Sequence, residues 1–201
     1  GRGRWADGDE PGRGRAGGVW TIRCGEADSI ERTLPDSVAE VIVSTASGDL
    51  SADLPPGASL RAKLSSGEVS CRSDGGAVEI ATSSGDVSVD GRPSDVKVGT
   101  VAGDVAIRGA AGDVEAASQS GDISVTVSGA GADIAARTMS GDVSVSLPAG
   151  AAPGIRAETV SGDVDAPGSK RSRGPVGCLV VSEGGPGSVL AKSVSGDISI
   201  R

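Results

Sequence analysis

Eight acidic side chains recur in this chain behind a small residue and a glycine. They stand in Ser47-Gly48-Asp49, Ser66-Gly67-Glu68, Ser84-Gly85-Asp86, Ala102-Gly103-Asp104, Ser120-Gly121-Asp122, Ser140-Gly141-Asp142, Ser161-Gly162-Asp163 and Ser195-Gly196-Asp197. Three chemistries suit such residues. Carboxylates brought together can hold Ca²⁺, which takes several oxygen ligands, and Asp86, Asp104, Asp122 and Asp142 are the acids that would do so. Paired carboxylates can serve as acid and base on a glycosidic bond. An Asp beside a Gly can also simply accept hydrogen bonds from turn amides. The third reading is preferred. Calcium-binding nonapeptide repeats need a denser Gly/Asp pattern than this one. A glycan-cleaving site stacks sugars on aromatic rings, and the only aromatics are Trp5 and Trp20. With no His in the chain, the serines lack a base, and the usual triads, zinc sites and proton shuttles fall away. No enzyme activity, catalytic residue, resident metal or cofactor is expected.

A second candidate is basic. Gly168-Ser169-Lys170-Arg171-Ser172-Arg173-Gly174-Pro175 interrupts a chain whose formal charge is −8. Loops on rigid scaffolds carry function more often than the scaffold does. Lys170, Arg171 and Arg173 are therefore the candidate binding residues, with a protein or an anionic envelope polymer as the partner. The plain alternative is a soluble hairpin tip. The acidic balance argues against nucleic acid, whose binding rests on phosphate neutralisation. Cys24, Cys71 and Cys178 have no metal-ligand spacing. Cys71 falls on an inward position as a small apolar residue, while one Cys24–Cys178 bridge stays open. No run of about 18 apolar residues is present, so no transmembrane segment is expected. The chain starts at Gly1 rather than Met, which leaves room for a preceding signal or anchor.

The elements that must position these residues follow from the spacing. The eight glycines are separated by 19, 18, 18, 18, 20, 21 and 34 residues. Runs with period-two alternation lie on both sides of each, such as Val96-Lys97-Val98 before and Val105-Ala106-Ile107 after. Such alternation means strands with one buried face. Upstream, the inward columns are Val41/Val43/Thr45/Ser47 and their equivalents, so that each Ser before a Gly is expected to face inward. Downstream they are pairs such as Leu50/Ala52, Val87/Val89 and Ile198/Ile200. Inward parity changes across each Gly–acid step, as at a corner or bulge. Two short strands cannot bury a core alone, but stacked parallel copies can, at about 4.8 Å per coil. An antiparallel sandwich also alternates, yet it does not require the same residue type at the same place in every unit. The fold expected is all-β: a single parallel β-helix-like solenoid of eight coils over 38–201, with right-handed winding as the default. Its interior is too thin for aromatic rings. Residues 1–18 are expected to be a disordered Gly/Arg-rich linker and 19–37 an N-terminal capping segment, with an insertion loop at 167–187. Arg201 directly follows strand residues Ile198 and Ile200, so a terminal coil with unpaired backbone groups is expected to template a homodimer.

The SGD-V/I-x-V units resemble those of the DUF4097 adhesin-like β-strand repeat family of bacteria. The most specific likeness is the ending. Arg156-Ala157-Glu158-Thr159-Val160-Ser161-Gly162-Asp163-Val164 is followed by an irregular insertion, and then by Gly184-Gly185-Pro186-Gly187 leading into Ser193-Val194-Ser195-Gly196-Asp197-Ile198. The resemblance covers 38–201 and leaves out the Arg/Gly-rich head. It implies a β-solenoid associated with cell-envelope or surface roles, and it supplies no catalytic residues. Two functions follow as expectations: a non-catalytic, adhesin-like interaction or scaffold module, or a bactofilin-like structural protein that self-assembles end to end.

Overall fold

A computed structural model describes residues 18–31, 38–151, 153–167, 172–174, 177–182 and 184–201. All the regular elements among them are strands. β1 (Gly18–Glu31) runs parallel to β2 (Val38–Asp53), which turns a corner at Gly48 and so contributes to two sheets. Pairs of shorter strands then repeat the shape of β2. They are β3 (Ser59–Ser66) with β4 (Val69–Asp74), β5 (Val78–Ser84) with β6 (Val87–Arg92), and β7 (Val96–Gly99) with β8 (Val105–Ala110). β9 (Val114–Ala117) with β10 (Ile123–Val127) and β11 (Asp133–Arg137) with β12 (Val143–Ser146) continue the series. The remaining strands are β13 (Pro153–Ser161), β14 (Val164–Asp165), β15 (Ser172–Gly174), β16 (Gly177–Ser182), β17 (Gly185–Ser195) and β18 (Ile198–Ile200).

The first strand of each coil pairs in parallel with the first strand of its neighbour, and the second with the second. Identical positions therefore lie above one another. One inward column runs Leu50, Val69, Val87, Val105, Ile123 and Val143, and none of these is more than 3 % exposed. Its counterpart in the other sheet is Val41, Leu60, Val78, Val96, Val114 and Ile134, equally buried. β-branched side chains suit this pleated, fully buried setting. The expected β-solenoid is present, and the antiparallel sandwich is excluded by the parallel registers.

The regular stack comprises about 6 turns rather than the eight expected. The last two copies leave chain order. β17 lies between β11 and β13, in parallel with both, and β18 lies between β12 and β14. The C-terminal coil is thus interior, and the premise that Arg201 ends an uncovered coil does not hold. Beyond β13 the ladder changes sense, because β16 pairs with it antiparallel and β15 pairs antiparallel with β16. The expected insertion loop therefore contains a hairpin. β1 and β16 occupy opposite ends of the stack, Cys24 beside Thr45 and Cys178 beside Thr159. Their separation is several coils, far beyond the roughly 7 Å Cα limit of a disulfide, so the open Cys24–Cys178 bridge within one chain is ruled out.

Candidate functional site

The eight acids share one corner of the solenoid, where they act on the backbone. Asp86 Oδ1 accepts the amide N–H of Asp104 at 2.9 Å, and Asp104 Oδ1 accepts that of Asp122 at 2.8 Å. The series continues from Asp122 to the Asp142 amide, from Asp142 to Asp197 and from Asp197 to Asp163, each at 2.8 Å. At the near end, Asp49 accepts from the Glu68 amide at 2.9 Å. Each carboxylate thus caps the equivalent residue one coil on, which satisfies a corner amide that the turned backbone leaves unpaired. Among the described residues, Glu68, the single Glu of this column, accepts no such bond from the Asp86 amide, because its extra methylene carries the carboxylate past it. Among the described residues, no group of three or more His, Cys, Asp or Glu forms a metal-ligand set.

This ladder makes a paired prediction. Asp122→Ala should destabilise the fold by about 1–2 kcal/mol, and Glu68→Asp should stabilise it by about 0.5–1 kcal/mol. Urea midpoints measure both. A neutral Asp122→Ala together with a destabilising Glu68→Asp would show that the corner does not depend on these acceptors.

Inside the same corner lies a second polar column: Thr45, Thr82, Thr100, Ser118, Thr138, Thr159 and Ser193, all buried. Most of these hydroxyls donate to corner carbonyls. Thr45 Oγ1 reaches Ser47 O at 2.8 Å, Thr159 Oγ1 reaches Gly196 O at 3.0 Å, and Ser193 Oγ reaches Gly141 O at 3.1 Å. The serines directly before the glycines do not face inward as expected. Ser66, Ser84, Ser120, Ser140, Ser161 and Ser195 are exposed, and Ser47 is half-buried. The chain begins to turn one residue earlier than strand parity implies, which swings these side chains out.

Of the basic candidates, Lys170 and Arg171 lie outside the described residues. Arg173 sits in β15, opposite Cys178 of β16. The structure places this hairpin at the end of the stack that holds β13.

The outer face of the first sheet carries features that inward periodicity could not reveal. A shallow groove of ≈ 990 Å³ runs across the coils, bordered by Arg61, Glu79, Lys97 and Glu115. Charges there alternate between neighbouring coils: Arg61 Nε is 2.9 Å from Glu79 Oε2, and Lys97 Nζ is 3.0 Å from Glu115 Oε2. Such exposed pairs add little stability individually. Near β13, Lys192 Nζ meets Glu158 Oε2 at 2.7 Å and Arg156 Nε meets Glu158 Oε1 at 2.8 Å, and these bonds hold the Glu158 carboxyl below its ordinary range. Beside these charges runs an apolar ridge. Val101, Met139, Val194 and Val160 hold the same repeat position, two residues before the glycine, and are 46–57 % exposed. Met139, Val194 and Val160 are on three adjacent coils. Arg137, on the strand that leads to Met139, makes no ion pair among the described residues.

Cys71 is buried in the core, and desolvation, with Asp53 and Asp90 adding to it, pushes its thiol up to about 12. Almost no thiolate exists at neutral pH, and the thiolate is the reactive form. In a Cys24→Ser, Cys178→Ser background, iodoacetamide at pH 8 should leave the folded protein unlabelled and label it once in urea. Rapid labelling without denaturant would contradict the burial.

The family model described as Toastrack DUF4097 matches residues 8–201, and the chain belongs to that family. The match reaches into the Arg/Gly-rich head, further than the 38–201 expected from the repeats alone. Neither the comparison with curated proteins nor that with solved structures returned a match. The chain is a repeat-protein β-solenoid module, of a kind that is generally non-catalytic.

Proposed function

We propose that this domain is a non-catalytic, adhesin-like interaction module of the cell envelope or surface, and that it binds a protein or an anionic envelope polymer through the outer face of its first sheet. One observation carries this reading. Apolar side chains that a solvated strand face would not collect stand in register on adjacent coils, as Met139, Val194 and Val160, with Arg137, which makes no ion pair among the described residues, alongside. Exposed apolar clusters rimmed by charge are a property of binding surfaces. The acids and hydroxyls of the repeats, by contrast, are engaged in holding the corner, which leaves the outer face as the surface free to recognise something. Arg173, in β15 at the β13 end of the stack, and its sequence neighbours Lys170 and Arg171 supply positive charge for an anionic partner.

The self-assembling, bactofilin-like alternative is less favoured. Continuous stacking needs parallel edges at both ends, and the antiparallel β16 interrupts the series beyond β13.

The test is retention of the partner from native envelope extracts. A Met139→Ser, Val160→Ser, Val194→Ser variant and a separate Lys170→Glu, Arg171→Glu, Arg173→Glu variant are compared with the unmodified chain. Loss of most of the captured partner in either variant is the expected result. Equal capture by all three would discard the surface, and filaments in the electron microscope would favour the alternative.

A further inference from the structure

The position of the C-terminal coil points to an interaction that the repeat pattern does not announce. β17 and β18 occupy a slot between the sixth coil and the β13/β14 coil. On one side, the Ser195 amide donates to Met139 O at 2.9 Å, and the Gly141 and Val143 amides donate to Ser195 O and Asp197 O at 3.0 and 2.9 Å. On the other side, the Gly196 and Ile198 amides donate to Ser161 O and Asp163 O, both at 2.9 Å. Side chains reinforce both edges through the Asp142–Asp197–Asp163 stretch of the ladder and through Lys192–Glu158. The slot also selects its occupant. β12 continues to Ser146, and the Leu147 amide donates to Arg201 O at 2.7 Å, so the full length of β18 is used. β14 spans only Val164–Asp165, and it presents Ala166 where the C-terminal coil presents the larger Ile200. The longer, bulkier coil therefore fits next to β12, and the shorter one closes over it.

None of these contacts depends on chain continuity. The partners of the C-terminal coil lie 34 and 55 residues away in sequence. Without that coil, the slot would expose two parallel sheet edges with matching registers, which is a template for strand addition. We propose that this slot is a strand-binding site that accepts residues 185–201 from a second copy of the chain as readily as from its own, giving a reciprocally exchanged dimer. The exchanged and unexchanged forms make the same contacts and differ in the connection alone. Their balance is then set by the effective concentration of the tethered segment against that of the second copy.

Two single-cysteine chains test this, Met139→Cys and Val194→Cys, each with Cys24→Ser, Cys71→Ala and Cys178→Ser. Positions 139 and 194 are neighbours on adjacent coils, within disulfide reach when one copy's C-terminal coil fills the slot of the other. The two chains are mixed, unfolded together in urea, refolded at high concentration and oxidised. Exchange should yield mixed dimers in roughly tenfold excess over either like-with-like dimer, whereas random collision of surface thiols gives about two to one. A chain carrying both cysteines should close the same disulfide internally on dilute refolding, which establishes the register independently of exchange. A mixed dimer yield at the collision ratio, with the internal disulfide still forming, would overturn the proposal. Failure of the internal disulfide would overturn the slot itself.

Discussion

Gly141→Ala is expected to lower the stability of this protein by about 3–5 kcal/mol, as much as any single surface-accessible substitution can. Two effects add. Gly141 has φ +140, a backbone conformation that L side chains rarely adopt. A Cβ built there would also run into the carbonyl oxygen of Gly121 on the neighbouring coil. The second effect is the harder one to relieve. The obstacle is backbone, held by the Gly121 amide's bond to Ser140 O at 2.9 Å and by the Thr138 hydroxyl donating to Gly121 O at 3.2 Å. The corner could widen only by breaking the ladder on both sides. Urea denaturation followed by circular dichroism measures the loss. A midpoint within experimental error of the unmodified chain would mean that neighbouring corners are not in contact.

Ile198→Ala should cost about 2–5 kcal/mol, the range for emptying a sealed core site. Val164→Ala, which removes two carbons against three, should cost about half as much. Both side chains are 1 % exposed, so burial alone would not separate them widely. Position in the stack does. Ile198 is enclosed between Val143 and Val164, with a coil on either side, whereas Val164 belongs to the short outer strand that can settle into the space. Hydrogen exchange should follow the same division: Ile198→Ala speeds exchange in β12, β14 and β18 together, while Val164→Ala affects β14 and leaves β12 protected. Equal losses in the two variants would contradict the interior placement of the C-terminal coil.

The sequence carried the architecture because stacking is written into it twice, in the period of the glycines and in the residue type at each column. Val87, Val105 and Ile123 fall in one buried row on sequence alone, since parallel coils place like on like. The acids at Asp104 and Asp122 could be read as backbone acceptors from their place beside a corner glycine. Other features were not legible, for identifiable reasons. The order of the last coils escaped because Thr159-Val160-Ser161-Gly162-Asp163 and Ser193-Val194-Ser195-Gly196-Asp197 fit either slot equally well as patterns. The deciding difference, Ile200 against Ala166 and a longer pairing with β12, concerns the ends of strands, where periodicity says least. Parity alone places the serines before the glycines inward, because it cannot register that a corner starts one residue early. The Val101, Met139, Val194 and Val160 ridge lies on the outward parity, where the buried columns give no signal. Aligning the position two before each glycine would have exposed it.

The corner also accounts for the conspicuous acids and hydroxyls of the repeats. A solenoid turns its chain repeatedly, and each turn creates amides and carbonyls that strands cannot satisfy. Here a carboxylate and a hydroxyl in nearly every unit answer that need. The repeating acids are therefore a mark of construction.

Methyl–methyl NOEs in a sample labelled at Val and Ile methyls test the stacking order most directly. The intercalated order predicts strong cross-peaks from Ile198 to both Val143 and Val164 and from Ile200 to Val145, with none between Val143 and Val164. A strong Val143–Val164 cross-peak, with Ile198 reaching Val164 alone, would mean that the coils follow chain order and that the account of the C-terminal slot is wrong.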